Sequence, residues 1–219
     1  MAVRVRGAIF DLDGTLVDTL PVCFVAFRRA VERLGGRTYS DDEIRALFGP
    51  SEEGMMQRAM PERWQEGLAA FLEEYERTLP MCPSPFPGIE SVLKLLDERR
   101  ISTAIVTGKG PVTAAMSIRH SGFESFFGQV ETGSPAGVVK AEAITRLVGL
   151  WRAEPREVIY VGDAGSDILA ARDSGVIAVG AAWASTAIPA ELEVARPDMM
   201  FATTESFLEW VDSRSQEST

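Results

Sequence analysis

Short apolar runs that stop on polar loops alternate with stretches of helical spacing through most of this chain. Val5, Ala8, Ile9 and Phe10 read as a buried strand that ends on Asp11 and Asp13, with Gly14 permitting a sharp turn. After Thr19 the period changes. Pro21 suits a first helical turn, Phe24, Phe27, Val31 and Leu34 follow helical spacing, and Gly35-Gly36 closes the segment. Ser40-Asp41-Asp42-Glu43 is a capping box that predicts a second helix through Leu47 and Phe48. Gly49-Pro50-Ser51 is a turn, with Ser51 placed to cap a short helix through Met55, Met56 and Met60. Pro61 is expected to start a longer helix with Trp64, Leu68, Phe71, Leu72 and Tyr75 on one face. Residues 20–79 thus read as a small helical bundle. A proline-rich hinge follows at Pro80, Pro83, Pro85 and Pro87.

From Gly88 the pattern alternates helix and strand. Ile89, Val92, Leu93 and Leu96 form a helical face, and Thr103–Val106 is a strand ending at Thr107-Gly108-Lys109-Gly110. Pro111 opens a helix that Gly122 ends; Gln129–Thr132 is a short strand, and Lys140–Leu150 is helical. Val158–Val161 is a strand ending at Gly162-Asp163, followed by a helix with Ile168, Leu169 and Ala171, closed by Gly175, and a strand at Val176–Val179. Repeated strand and helix imply an α/β fold, a doubly wound parallel sheet covered on both faces. The order predicts a core from residues 1–18 and 83–219, with residues 19–82 inserted as an all-helical domain. The tail from Ser213 is polar and expected to fray.

Composition narrows the function. Of 219 residues, 46% are hydrophobic and 25% charged, an ordinary globular balance. The formal net charge of -10 argues against nucleic acid or an anionic membrane as partner, but not against a small anionic substrate in a locally positive site. The two cysteines, Cys23 and Cys82, form no CxxC, so free thiols in a reducing cytoplasm are expected. Met1–Arg6 lacks the apolar region of a signal peptide, and Gly, Ser, Thr and Pro break the uncharged run from Ser174 to Ala190, so no membrane span is expected. A monomer or homodimer is expected.

Polar residues follow three separate strands: Asp11 with Asp13, then Thr107, then Asp163 with Asp167. In a parallel sheet these strand ends share one edge, where ligands bind. Leu12 separates Asp11 from Asp13, so extended backbone would point both carboxylates to one side, where a divalent cation relieves their repulsion. Hard oxygen ligands suit Mg²⁺. Thr107 and the Gly108 N–H can hold an anion, and Lys140 can neutralise one. Together these groups point to phosphoryl transfer with Asp11 as nucleophile. Each alone has a plainer reading: a strand-end Asp is often a turn former or cap, and a helix-face Lys is usually solvated. A Ca²⁺ loop at Asp11–Gly14 fails, because no helix precedes it and no third acid precedes Gly14. Gly108-Lys109-Gly110 fits no Walker or dinucleotide pattern. Cys23 and Met55-Met56 read as core packing. His120, the single histidine, reads as surface and leaves little room for a His-based triad.

Taken together, these residues resemble the haloacid dehalogenase-like hydrolase superfamily, in particular its phosphoglycolate phosphatase-like branch. Asp11–Thr19 is similar to the family's first motif, Ile105–Lys109 to the second, Lys140 to the third and Gly162–Ile168 to the fourth. Pro85–Gly88 resembles the re-entry into the core, and the helical insertion corresponds to the mobile cap. Ala141 stands where many members have proline, and Gly108 where asparagine is common. The resemblance implies that Asp11 attacks phosphorus and that Asp13 protonates the leaving oxygen and then helps a water attack. It implies that Mg²⁺ is held by the Asp11 carboxylate, the Asp13 backbone carbonyl and Asp163, while Asp167 holds a water on the metal or orients Lys140. Thr107, Gly108 and Lys140 would hold the phosphoryl group of a small phosphorylated metabolite.

Other chemistries of the superfamily separate on single residues. Asp13 argues against a dehalogenase. The lysines, Lys94, Lys109 and Lys140, all fall in the expected core, which argues against a Schiff-base phosphonatase. A β-phosphoglucomutase-type mutase would place His and Lys in the cap, where neither occurs between Thr19 and Pro83. A silent phosphate-binding scaffold conflicts with the intact carboxylates and Lys140. Arg45 and Arg58 flank the turn at Gly49-Pro50-Ser51 and could meet a substrate anion, although solvated helix charges are the plainer reading.

Overall fold

A computed structural model describes residues 4–82, 85–137 and 140–215. Its six strands are β1 (Gly7–Phe10), β2 (Ser102–Val106), β3 (Gln129–Glu131), β4 (Val158–Gly162), β5 (Ile177–Ala181) and β6 (Met199–Phe201). All pair in parallel, in the order β3-β2-β1-β4-β5-β6. Phe10 is in register with Ile105 on one side and Val161 on the other. The chain builds outward from β1 to β3 and then returns to β4 on the far side of β1. The strand order therefore reverses beside β1, which opens a crevice at the carboxyl ends.

The unbroken apolar run of β1 follows from burial on both sheet faces. Phe10 packs with Ile89, Val92, Ile118 and Phe207, under α5 (Ile89–Glu98), α6 (Pro111–Ser121) and α10 (Thr204–Ser215). Its neighbour Ile9 points the other way, to Ile144, Leu147, Ile168 and Leu192. Those residues belong to α7 (Lys140–Trp151), α8 (Gly165–Asp173) and α9 (Pro189–Ala195). This is the doubly wound parallel sheet expected. A third cluster, with Phe27, Ile44, Met56, Phe71 and Tyr75, lies among α1 (Leu20–Arg33), α2 (Asp41–Arg45), α3 (Glu52–Ala59) and α4 (Trp64–Thr78).

Several boundaries differ from the sequence expectation. The capping box at Ser40 and Glu43 forms, but α2 ends at Arg45 rather than continuing through Leu47 and Phe48. Leu47 and Phe48 donate only three residues back, to Ile44 and Arg45, which tightens the chain into a turn. The Ser51 side chain makes no cap bond; its N–H instead donates to the Ser134 carbonyl at 2.9 Å. The helix expected from Pro61 starts at Trp64, because Arg63 N–H closes a turn onto the Met60 carbonyl. Beyond Val179 the sequence pattern assigned no element, whereas the chain forms α9, β6 and α10. Ser213 to Ser215 are not frayed but complete α10, which Phe207 and Val211 anchor. Pro83 of the hinge and residues 216–219 lie outside the described residues. No described helix is long and apolar enough to cross a membrane.

Candidate active site

The strand ends carry Asp11, Thr107 and Asp163 to one edge because β1, β2 and β4 are adjacent and parallel. A cavity of about 520 Å³ opens there. Asp11, Asp13, Gly108, Lys109, Lys140 and Asp163 line its sheet side, and Leu20, Cys23, Arg45, Phe48, Glu52 and Met55 face them from the helical segment. Gly14 has a φ of 73°, and a Cβ there would collide with the Asp163 carboxylate. Glycine thus serves both the turn and the close approach of the first and fourth motifs.

Asp11 and Asp13 both face the cavity while Leu12 is fully buried, as alternation requires. Each carboxylate has its own ammonium. Lys140 Nζ lies 3.1 Å from Asp11 Oδ1 and donates to Asp167 Oδ1 at 2.6 Å. Lys109 Nζ lies 3.2 Å from Asp13 Oδ2, and Asp13 also accepts from the Thr19 hydroxyl. The carboxylate oxygens that gather are those of Asp11, Asp163 and Asp167, within 4.8 Å of one another.

Asp167 is fully buried and held from several sides. Its Oδ2 accepts the Ala164 N–H at 3.1 Å. The Tyr160 hydroxyl lies 3.1 Å from Asp167 Oδ1 and 2.9 Å from the Val106 carbonyl oxygen, so one hydrogen serves two acceptors. This network fixes Lys140 against Asp11. Asp11 Oδ1 is buried, and the Lys140 ammonium at 3.1 Å is its ionic partner. Burial pushes the Asp11 carboxyl up to about 7, with Lys140 opposing the rise and Asp167 and Asp13 adding to it. Burial, then Asp11 and Asp167, holds Asp163 well above the usual carboxylate range. Burial disfavours the Lys140 ammonium, but Asp11 and Asp167 outweigh it and raise its pKa.

Thr107 is buried at the end of β2, its hydroxyl accepting the Lys109 N–H at 3.2 Å. Gly108 lines the cavity. Arg45 reaches the cavity and lies 5.4 Å from the Phe24 ring, whereas Arg58 is exposed and donates to the Leu47 carbonyl. Cys23 and Met55, read as core packing, are buried and also form cavity wall. His120 is exposed. Sequence reasoning gave no role to Lys109, Glu52 or Tyr160. Lys109 alone left a signal, as one of few lysines, directly after the Thr107-Gly108 anion-holder pair.

The model of the haloacid dehalogenase-like hydrolases matches residues 8–181, from β1 to the end of β5. A phosphoglycolate phosphatase of Synechococcus elongatus is 30% identical over 94% of this chain and 97% of its own. A pyrophosphatase of Halalkalibacterium halodurans is 27% identical over 80% and 82%. The crystal structure of a predicted phosphoglycolate phosphatase from Haemophilus somnus superposes with a TM-score of 0.80 at 21% identity, covering 94% of this chain and 97% of that one. Motif residues, strand order and relatives agree, and the chain belongs to the haloacid dehalogenase-like hydrolases, in the branch of its phosphoglycolate phosphatase relatives.

Proposed function

We propose that the protein is a Mg²⁺-dependent phosphomonoester hydrolase of small phosphorylated metabolites, working through an aspartyl phosphate on Asp11. The observation that carries this reading is the meeting of Asp11, Lys140 and Asp163 at one wall of the cavity. Phosphoryl transfer through a loose transition state needs positioning and charge neutralisation more than covalent assistance.

In this reading residues 19–82 are a cap over a core formed by residues 1–18 and 83–219. Asp11 attacks phosphorus, and the bond to the leaving oxygen breaks as Asp13 gives that oxygen its proton. Asp13, now ionised, takes a proton from a water that attacks the phosphorus and frees Asp11. Thr107, the Gly108 N–H and Lys140 hold the phosphoryl oxygens. Three carboxylates whose oxygens gather within 4.8 Å of one another fit a hard divalent cation beside them. The Asp11 and Asp163 carboxylates and the Asp13 backbone carbonyl would hold it, and Mg²⁺ there would neutralise phosphoryl charge and keep both acids ionised. Asp167 is already engaged by Lys140, Tyr160 and the Ala164 N–H, so its part is to orient Lys140.

A mutase is the weaker reading, because residues 19–82 hold neither His nor Lys to handle a second phosphoryl position. Free, buried Cys23 and Cys82 fit a reducing cytoplasm. Mg²⁺-dependent release of p-nitrophenol from p-nitrophenyl phosphate tests the reaction class, and a panel of phosphorylated metabolites tests the substrate. No turnover by folded protein would overturn the reading in favour of a phosphate-binding scaffold.

A further inference from the structure

Among the described residues, Glu52 is the one buried acid outside the carboxylate cluster, with 5% of its surface exposed. It is the first residue of α3, in the helical segment, yet its partners come from the sheet side. The Gly110 N–H donates to Oε2 at 2.6 Å, the Thr113 hydroxyl donates to Oε1 at 2.5 Å, and Lys109 Nζ lies 4.0 Å from Oε1. Gly110 is the residue just before α6, so the carboxylate sits at the positive end of that helix. Beside it, Ser51 N–H donates to the Ser134 carbonyl. One turn along α6 from Thr113, Ser117 Oγ shares a 2.8 Å hydrogen bond with the Tyr75 hydroxyl. The first contact ties the helical segment to the loop after β3, and the second ties it to α6. Lys109 completes the arrangement: its ammonium lies 4.5 Å from the Tyr75 ring and 3.2 Å from Asp13.

A buried carboxylate is costly without donors, and every donor to Glu52 except water is lost if the helical segment lifts away. The Gly110 and Thr113 contacts of Glu52 lie outside the groups proposed for the phosphate chemistry, and they tie down the helical segment whose Leu20, Cys23 and Met55 line the cavity opposite Asp11. We propose that Glu52 is the latch of the helical segment, a positioning residue that keeps the cavity closed by seating its carboxylate on the first turn of α6. The proposal rests on the reading of residues 19–82 as a cap and adds which contact governs its closure. Lifting the cap withdraws Glu52 from Gly110, Thr113 and Lys109 together.

The test is alkylation by iodoacetamide, read by mass spectrometry at each cysteine of the full-length chain. Cys23 lies on the cavity-facing wall of the cap itself, while the Cys82 thiol donates to the Asp18 carbonyl outside the cavity. The Glu52→Ala variant should label Cys23 about tenfold faster or more, the scale of a lost charged hydrogen bond, with Cys82 unchanged. Thr113→Val removes one donor from the other side and should give a smaller acceleration of the same kind, which keeps the test available if Glu52→Ala fails to fold. Unchanged Cys23 labelling in the variants that fold would overturn the latch. Equal acceleration of Cys23 and Cys82 would also overturn it, because that pattern reports general loosening. Labelling needs no turnover, so an inert parent protein would remove the proposed reaction without deciding the latch. An active parent with unchanged labelling would remove the latch alone.

Discussion

The two walls of the cavity are built on different principles. On the sheet side, charged groups hold one another: Asp167 accepts from Lys140 and lies within hydrogen-bonding distance of Tyr160, and Lys140 faces Asp11. On the helical side, Leu20, Cys23, Phe48 and Met55 present apolar surface around Arg45. Arg45 has no acidic group within salt-bridge distance among the described residues, and its guanidinium lies 5.4 Å from the Phe24 ring. The sheet side is rigid because each buried charge depends on its neighbours. In the proposed reading the helical side is the adaptable one, with Arg45 its one cavity-lining cation among the described residues and placed to meet a leaving group. In the same proposed reading chemistry belongs to one wall and substrate choice to the other.

The largest expected effect comes from the rigid wall. Asp11→Asn should lower kcat roughly a thousandfold or more, with an unchanged circular dichroism spectrum. Retained turnover would remove Asp11 as nucleophile and break the division between the walls. Chelation is next. EDTA should abolish turnover and added Mg²⁺ restore it, and metal-independent turnover would contradict the carboxylate site.

The adaptable wall should respond differently. Arg45→Ala should raise KM for the preferred metabolite about tenfold, with kcat nearly unchanged, and should move KM for p-nitrophenyl phosphate less. An equal change for both substrates would make Arg45 structural.

The smallest effect is one of stability. In the metal-free protein burial pushes the Asp11 carboxyl from an ordinary 3.8 up to about 7. Between those values the folded chain holds a proton that the unfolded chain has lost, so stability falls as pH rises through this window. Thermal unfolding of metal-free protein should therefore show a Tm lower by a few degrees at pH 8 than at pH 5. Mg²⁺ should raise Tm more at pH 8, where the carboxylates are ionised. A Tm that rises with pH would contradict the crowding of Asp11.

The sheet side was legible in the sequence because its signals are local. Ile9 and Phe10 form a continuous apolar run, and Asp11, Thr107 and Asp163 each stand directly after such a run. Parallel topology then brings them together without further information. β6 left little trace: it has three residues, two of them Met199 and Met200, and lacks the β-branched enrichment of a strand. α10 was hidden by its polar surface, since Phe207 and Val211 are its main buried apolar anchors. The contacts of Lys109 and Glu52 were illegible for another reason. Glu52 looked like an ordinary acid in a first helical turn, and its partners Gly110 and Thr113 lie far along the chain. Only the folded chain places them together.

The proposed reaction passes through a covalent intermediate on Asp11. Protein mixed with Mg²⁺ and p-nitrophenyl phosphate, quenched in acid within the first turnover and digested, should yield a peptide carrying one phosphoryl group at Asp11. Phosphate released with p-nitrophenol while no peptide carries the group would contradict that claim and favour direct attack by water.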